Sequence, residues 1–370
     1  MMQVKARYYP WADFVRVLAT WMVIQLHVSG NLLYKWGDIH WHYWMAGNLY
    51  DSSVRASVPL FFMLSGALLL GKREPLHVFF RKRISKILYP FLLWSFLYWL
   101  WFFHLQSGDY PSLKDFETFL FSLPSNPAYS HLWFFYPLIG LYLFTPLFRF
   151  WNGQGAKLER YYFLTLWFLL GPVILIIKYF LGVNFCCCRF IDLSFASQPV
   201  LLASGYFFAG YMLREIKLTP RRVLLAGMLF GLMILLTAAG VYALTVQSGT
   251  PVLFLYDYYT PNIVLMSASA FVLFRAVGEW LSTTFPSFFA ATFSRLAPLT
   301  FGVYLVHFMI LDTLADGIGG VKISAMRLLY PRYHIAPYYS VPIATLVVFV
   351  LSFLVTAVLR KTPLRNYLAP

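Results

Sequence analysis

Residues 12–33 read ADFVRVLATWMVIQLHVSGNLL, an apolar run of bilayer-spanning length with Asp13 and Arg16 near its start and His27 deep inside it. A helix of roughly 20 apolar residues crosses the hydrocarbon core of a membrane. The early charges, and the lack of a small-residue cleavage site behind a short apolar core, predict a retained first helix and not a cleaved leader. Further apolar runs follow near 54–71, 87–105, 131–150, 161–182, 199–213, 222–246, 255–275, 296–311 and 341–359. They are continuous and not alternating, which predicts helices and sets a β-barrel aside. Composition agrees: of 370 residues, 60% are hydrophobic, 20% aromatic and 12% charged, where a soluble domain carries about 25% charged residues. That balance excludes an ordinary soluble enzyme, a disordered chain and a coiled coil. The predicted fold is all-α, a polytopic membrane helical bundle of about ten transmembrane helices, forming one domain over residues 1–370.

The net charge of +15 would suit a nucleic-acid binder if it were gathered in one basic region. Instead the cations sit in short loops between apolar runs. With the N-terminus inside, 20 of the 29 Lys and Arg residues fall in cytoplasmic segments and seven in outer ones. This asymmetry predicts both termini in the cytoplasm, and no nucleic-acid partner. The three cysteines are consecutive, Cys186 to Cys188, with no CxxC or Cys/His metal spacing, and read as small packing residues. The longest outer segments, 34–53, 106–130 and 312–340, are rich in Trp, Tyr and Pro. They read as interfacial belts or as the mouth of a saccharide site.

Ionisable side chains inside a bilayer are costly, so each is a functional hypothesis. The apolar runs place no Asp or Glu in mid-span, since Asp13 and Asp257 fall at span ends. That counts against a proton- or sodium-coupled transporter, which commonly holds carboxylates at the midplane. Arg16 and His27 are eleven positions apart. At about 100° per residue they share one helix face, separated by roughly 16 Å along the axis. Arginine binds phosphate through charge-assisted, often bidentate bonds. Neutral histidine takes a proton from an attacking hydroxyl and returns it to a leaving group. The competing reading is an i,i+3 Asp13–Arg16 pair and a histidine bonded to a neighbouring helix.

His131 opens the fourth run in HLWF, and His307 closes YLVH in the ninth. The topology puts His27, His131 and His307 at similar depth in the outer half of the membrane. No ligand spacing or supporting carboxylate accompanies them, so no metal is expected. Arg55 stands at the outer mouth of the second run, to bind an anionic acceptor or to snorkel. Ser65-Gly66 reads as a close helix contact. The stretch FFRKRISKILYP over 79–90 is basic and amphipathic. Its Arg81, Arg83 and Lys86 suit either lipid headgroups or a phosphorylated donor from the cytosol.

These segments together resemble the acyltransferase-3 family of integral membrane acyltransferases. The residues carrying the resemblance are Asp13-x-x-Arg16 with ten residues before His27, RASVPLFFMLSG over 55–66, the basic stretch ending at Pro90, HLWFF from His131, and GVYLVH ending at His307. The likeness is greatest to the surface-polysaccharide O-acyltransferase branch, which includes the enterobacterial common antigen O-acetyltransferase. The resemblance implies a bacterial inner-membrane, multi-pass O-acyltransferase. Its donor is acetyl-CoA or another acyl-CoA on the cytoplasmic side, and its acceptor a surface glycan or a lipid-linked saccharide. It implies that Arg16 and His27 are required for activity; the mechanism expected from this is His27 as general base on a saccharide hydroxyl or as covalent acyl carrier, with His307 beside it in the catalytic group. Arg81, Arg83 and Lys86 would hold the coenzyme A phosphates, and Arg55, His131 and Tyr304 the acceptor. The family's Arg-x-x-Arg appears here as Arg83-x-x-Lys86, which keeps the charge and loses one guanidinium fork. The competing function is a lipid-linked saccharide transporter or flippase, with the same polar residues lining its path and no acyl transfer.

Overall fold

A computed structural model describes residues 8–72, 74–106, 111–154, 157–182, 198–316 and 336–370. The cysteine triplet lies outside the described residues. In chain order the helices are α1 (Pro10–Leu33), α2 (Trp41–Val54), α3 (Ser57–Leu69), α4 (Leu76–Arg83), α5 (Tyr89–Gln106), α6 (Leu113–Ser122), α7 (Phe135–Gln154) and α8 (Lys157–Phe168). They continue with α9 (Ile174–Leu181), α10 (Gln198–Glu215), α11 (Pro220–Ser248), α12 (Pro261–Thr284), α13 (Pro286–Leu296), α14 (Thr300–Asp316), α15 (Pro337–Leu359) and α16 (Arg365–Leu368). No strand occurs among the described residues. Eight helical stretches there are long and apolar enough to cross a membrane. Helices α1 and α10, of 24 and 18 residues, have span length but more polar faces. The protein is a polytopic membrane helical bundle.

Helix α1 is the axle of the bundle, packed on α2, α3, α12, α14 and α15. Val15, Ala19, Val23 and Ile24 on it are buried, and so are its polar Asp13, Thr20, Gln25 and Ser29, which therefore face protein and not lipid. Lipid-facing helices differ: Leu224, Met228, Leu232 and Leu235 of α11 are all exposed, as expected where apolar side chains meet acyl tails. The closest helix crossing is α3 on α10. A Cβ at Gly66 would collide with the Phe207 carbonyl, and one at Gly210 with that of Met63. Small residues are what allow two backbones to approach this closely in lipid.

Two expectations change. The outer segment 34–53 contains a helix, α2, which forms one long stretch with α3 from Trp41 to Leu69. Asp51 therefore lies well inside a span and is fully buried, correcting the expectation that no carboxylate would be found there. The physical reason is Arg55, whose Nε and Nη2 both meet Asp51 Oδ1 one turn on. Pairing removes most of the cost of burying either charge. The run beginning at 296 likewise starts earlier, at Pro286, because α13 leads through a short turn into α14.

Candidate active site

A cavity of about 400 Å³ opens at one end of the bundle, between α1, α3, α7, α14 and the turn that precedes α5. Its mouth carries Arg16, Lys72, Arg83 and Lys86. Successive turns of α3 line it inward, from Leu69 through Leu68, Ser65 and Leu64 to Phe61. The inner end is closed by Phe61, Phe134 and Tyr304, with the Phe134 ring 6.0 Å from Phe61 and 5.6 Å from Tyr304. The cavity is thus cationic outside and apolar within.

Behind Tyr304 lie the imidazoles. The Tyr304 ring is 5.6 Å from His131 and 5.7 Å from His307. His307 stacks against His27 at 5.4 Å and meets His131 edge-on at 5.2 Å. Phe308 closes the group, 4.5 Å from His27 and 5.0 Å from His131. Three helical segments distant in sequence therefore deliver one imidazole each to a single place. His307 Nδ1 lies 2.7 Å from the Tyr304 carbonyl oxygen. A carbonyl only accepts, so Nδ1 carries the hydrogen, and a neutral His307 keeps its lone pair on Nε2. That Nε2 is buried and makes no hydrogen bond to protein, and neither does either ring nitrogen of His131. Buried polar atoms are rarely left so, and a group of them marks a place built for something else. The Tyr304 hydroxyl donates to the His131 carbonyl, which ties α14 to the turn carrying His131.

The mouth is held by Glu74. Its carboxylate reaches Lys82 at 3.1 Å, Arg149 at 3.2 Å and Arg83 at 3.7 Å. Burial pushes this carboxyl up, but hydrogen bonds from Lys82 and Arg149 outweigh it and hold it below the ordinary value. Two residues before Glu74, burial and the neighbouring Arg83 charge push the Lys72 ammonium down. The cations crowd one another, as they do where an anion is to be received. Residues 84–88 form a π-helical turn carrying Lys86, between α4 and α5. Such widened turns occur frequently at functional sites. On the opposite wall Arg16 pairs with Asp13 at 3.1 Å, and Asp13 accepts from the Tyr8 hydroxyl at 2.5 Å.

Of the residues singled out from sequence, Arg16, Arg83, Lys86 and Tyr304 line the cavity, and His27, His131 and His307 form the cluster beyond it. Arg81 is exposed and is not part of the lining. Arg55 does not line the cavity; it lies 4.1 Å over the Tyr256 ring and is paired with Asp51. Sequence reading had not given Lys72, Glu74 or Asp51 a role. Asp51 was detectable from its four-residue spacing to Arg55, the helical ion-pair spacing. Glu74 had no local signal, because Arg149 comes from a distant helix. Among the described residues, no group of three His, Cys, Asp or Glu is placed to hold a metal ion.

The fold and the site together define a polytopic membrane protein whose basic-mouthed cavity ends at Tyr304, with a histidine cluster packed behind that ring. Residues 9–361 match the profile of the acyltransferase-3 family, described as an acyltransferase domain. The chain belongs to that family. Comparison with curated proteins and with solved structures gave no match.

Proposed function

We propose that the protein is an O-acyltransferase that moves an acyl group, acetyl in the first instance, from cytoplasmic acyl-CoA to a hydroxyl of a surface saccharide or its lipid-linked precursor. The observation that carries this reading is the layout of one cavity: four cations at its mouth and Tyr304, in contact with His131 and His307, at its inner end. Coenzyme A has the matching layout, with phosphates at one end and the thioester on a long arm. In this reading Arg16, Arg83, Lys86 and Lys72 take the phosphates. The arm lies along the apolar wall formed by α3 and α7. The thioester passes Tyr304 to reach the imidazoles.

His27 then acts as general base. It takes the proton of the acceptor hydroxyl as that oxygen attacks the acyl carbon. The C–S bond breaks, and the thiolate recovers the proton from the imidazolium. A His131 N–H, buried and without a protein partner, donates to the developing oxyanion, and His307, whose Nε2 carries a lone pair, accepts from a neighbouring hydroxyl of the acceptor. The acceptor enters from the opposite side of the membrane, where a bacterial surface glycan or its lipid-linked precursor is exposed. The surface-polysaccharide branch of the family and the bacterial inner membrane fit this arrangement.

The test uses purified protein in lipid, acetyl-CoA labelled in the acetyl group, and a pool of candidate glycans. Label should reach glycan with the wild type. His27→Ala should lower transfer by about 10²–10⁴ with the fold intact by gel filtration. Full transfer by that variant would overturn the assignment of the base. Movement of unmodified saccharide across a bilayer with no need of donor would establish a transporter instead.

A further inference from the structure

A second cavity, of about 760 Å³, lies at the same end of the bundle on the other side of α10. The two are neighbours across that helix: Arg214 of α10 donates to the Ala67 carbonyl of α3, while Tyr211, Met212 and Glu215 line the second cavity. Its polar rim brings together Lys157 and Arg160 from the start of α8, Lys217 from the α10–α11 turn, and Arg222 from the start of α11. Glu215 is the acidic residue in that lining, and it is engaged by Arg214 at 2.7 Å. The rim is therefore strongly cationic.

The interior is apolar. Leu225, Ala226 and Leu229 of α11 face Ala268 and Val272 of α12. The hydroxyl of Ser269 does not alter this, since it is turned back on the Leu265 carbonyl at 2.8 Å. The crevice also opens sideways. Helix α8 packs on α10, through the Phe163–Phe208 contact at 4.8 Å and the Trp167 indole donating to the Leu202 carbonyl at 3.0 Å. Leu225 on α11 is 53% exposed and Tyr161 on α8 is 49% exposed, both along the outer edge of the crevice. A charged rim at the level of the loops, above an apolar slot that opens to the bilayer, complements a molecule with an anionic head and hydrocarbon tails. A soluble anion would use the rim and leave the slot unused.

We propose that this cavity is a binding site for an anionic phospholipid of the leaflet on the basic side of the bundle. The phosphate of its head is held by Lys157, Arg160, Lys217 and Arg222, and an acyl tail lies between α8 and α11. The lipid joins the peripheral α8 to α11 and α12. The site is separate from the donor cavity and does not depend on the transfer reaction.

Native mass spectrometry of the delipidated full chain tests this. It is titrated with dioleoyl phosphatidylglycerol or dioleoyl phosphatidylcholine, and separately with a long-chain polyprenyl phosphate or inorganic phosphate as competitor. The expected result is retention of one phosphatidylglycerol about tenfold better than phosphatidylcholine. That preference should be lost in Lys157→Gln combined with Lys217→Gln, whose side chains are exposed and whose loss leaves the packing intact. Arg160→Gln alone should weaken it, and Arg221→Gln, an exposed neighbour outside the lining, should not. Equal retention of the two phospholipids, or an unchanged preference in the double variant, would overturn the proposal. Displacement by millimolar inorganic phosphate would show an ion site and not a lipid site. Preferential capture of the polyprenyl phosphate would reassign the cavity to a carrier lipid, and would equally overturn the phospholipid assignment.

Discussion

At the scale of single residues, the site depends on how few bonds His131 and His307 make. A histidine used only for packing normally finds a partner for each buried nitrogen. Here the Tyr304 carbonyl takes His307 Nδ1–H, and the rest of the His307 and His131 ring nitrogens have no protein bond. Tyr304 does two jobs: its ring ends the donor cavity, and its hydroxyl holds the His131 backbone. Tyr304→Phe keeps the ring and removes one hydrogen bond, a change of about 1 kcal/mol. The expected outcome is a several-fold fall in kcat with the KM for acetyl-CoA little changed, read from steady-state kinetics. A rise in KM alone would place Tyr304 in donor binding and not in holding the cluster.

At the scale of elements, the α3–α10 crossing and the Glu74 hub hold the two sides of the donor cavity. Gly66→Leu would drive a side chain into the Phe207 backbone, where no rotamer offers escape. Overpacking of this kind costs about 1–3 kcal/mol and occasionally more. The expected outcome is a lower yield of monodisperse protein and a lower melting temperature, while Gly231→Leu, with open space around it, should leave both near wild type. Glu74 allows a test by pH. Its folded carboxyl sits below the ordinary value, so its ion pairs stabilise the fold above the unfolded pKa, about 4.3, and that contribution is lost as pH falls through the folded pKa. Glu74→Gln removes the charge at every pH. Melting curves of the two proteins should therefore differ most near neutrality and converge only as the pH falls through the lowered folded pKa of Glu74. A gap that stayed constant down to acidic pH would mean that the charge of Glu74 does not hold the mouth together.

At the scale of the whole molecule, the proposed reaction requires the basic mouth to face the compartment that contains acyl-CoA. The charge asymmetry of the loops predicts that side to be the cytoplasm. Lys86→Cys, in a background with Cys186, Cys187 and Cys188 replaced, should react with a membrane-impermeant maleimide in inverted vesicles and stay unlabelled in intact cells. The opposite pattern would reverse the topology and remove the donor from its cavity.

Most of the architecture was legible in the linear chain, because a bilayer demands long apolar segments and penalises anything else. The ten apolar runs fall on the long helices, although three of those helical stretches, from Trp41, Leu76 and Pro286, start ten or more residues earlier, and the spacing of Arg16 and His27 on α1 placed a cation and an imidazole on one face. The misses share a cause. Asp51 falls in the outer segment 34–53, outside the apolar runs, because a polar stretch lacks the signal of a span; its pairing with Arg55 makes a buried carboxylate admissible there. Helix α2 was hidden by the same polar residues, whose partners lie on α11 and near Tyr256. Sequence alone determined an all-helical membrane bundle, which follows from local composition and periodicity, while acyl transfer was implied by the motifs that resemble the acyltransferase-3 family. Only the tertiary structure decided that His27, His131 and His307 meet, that Arg83 and Lys86 share a cavity with Arg16 while Arg81 does not, and that Glu74 gathers three cations. Those facts depend on contacts between helices far apart in the chain, and helical periodicity says which face a residue occupies, not which helix lies opposite.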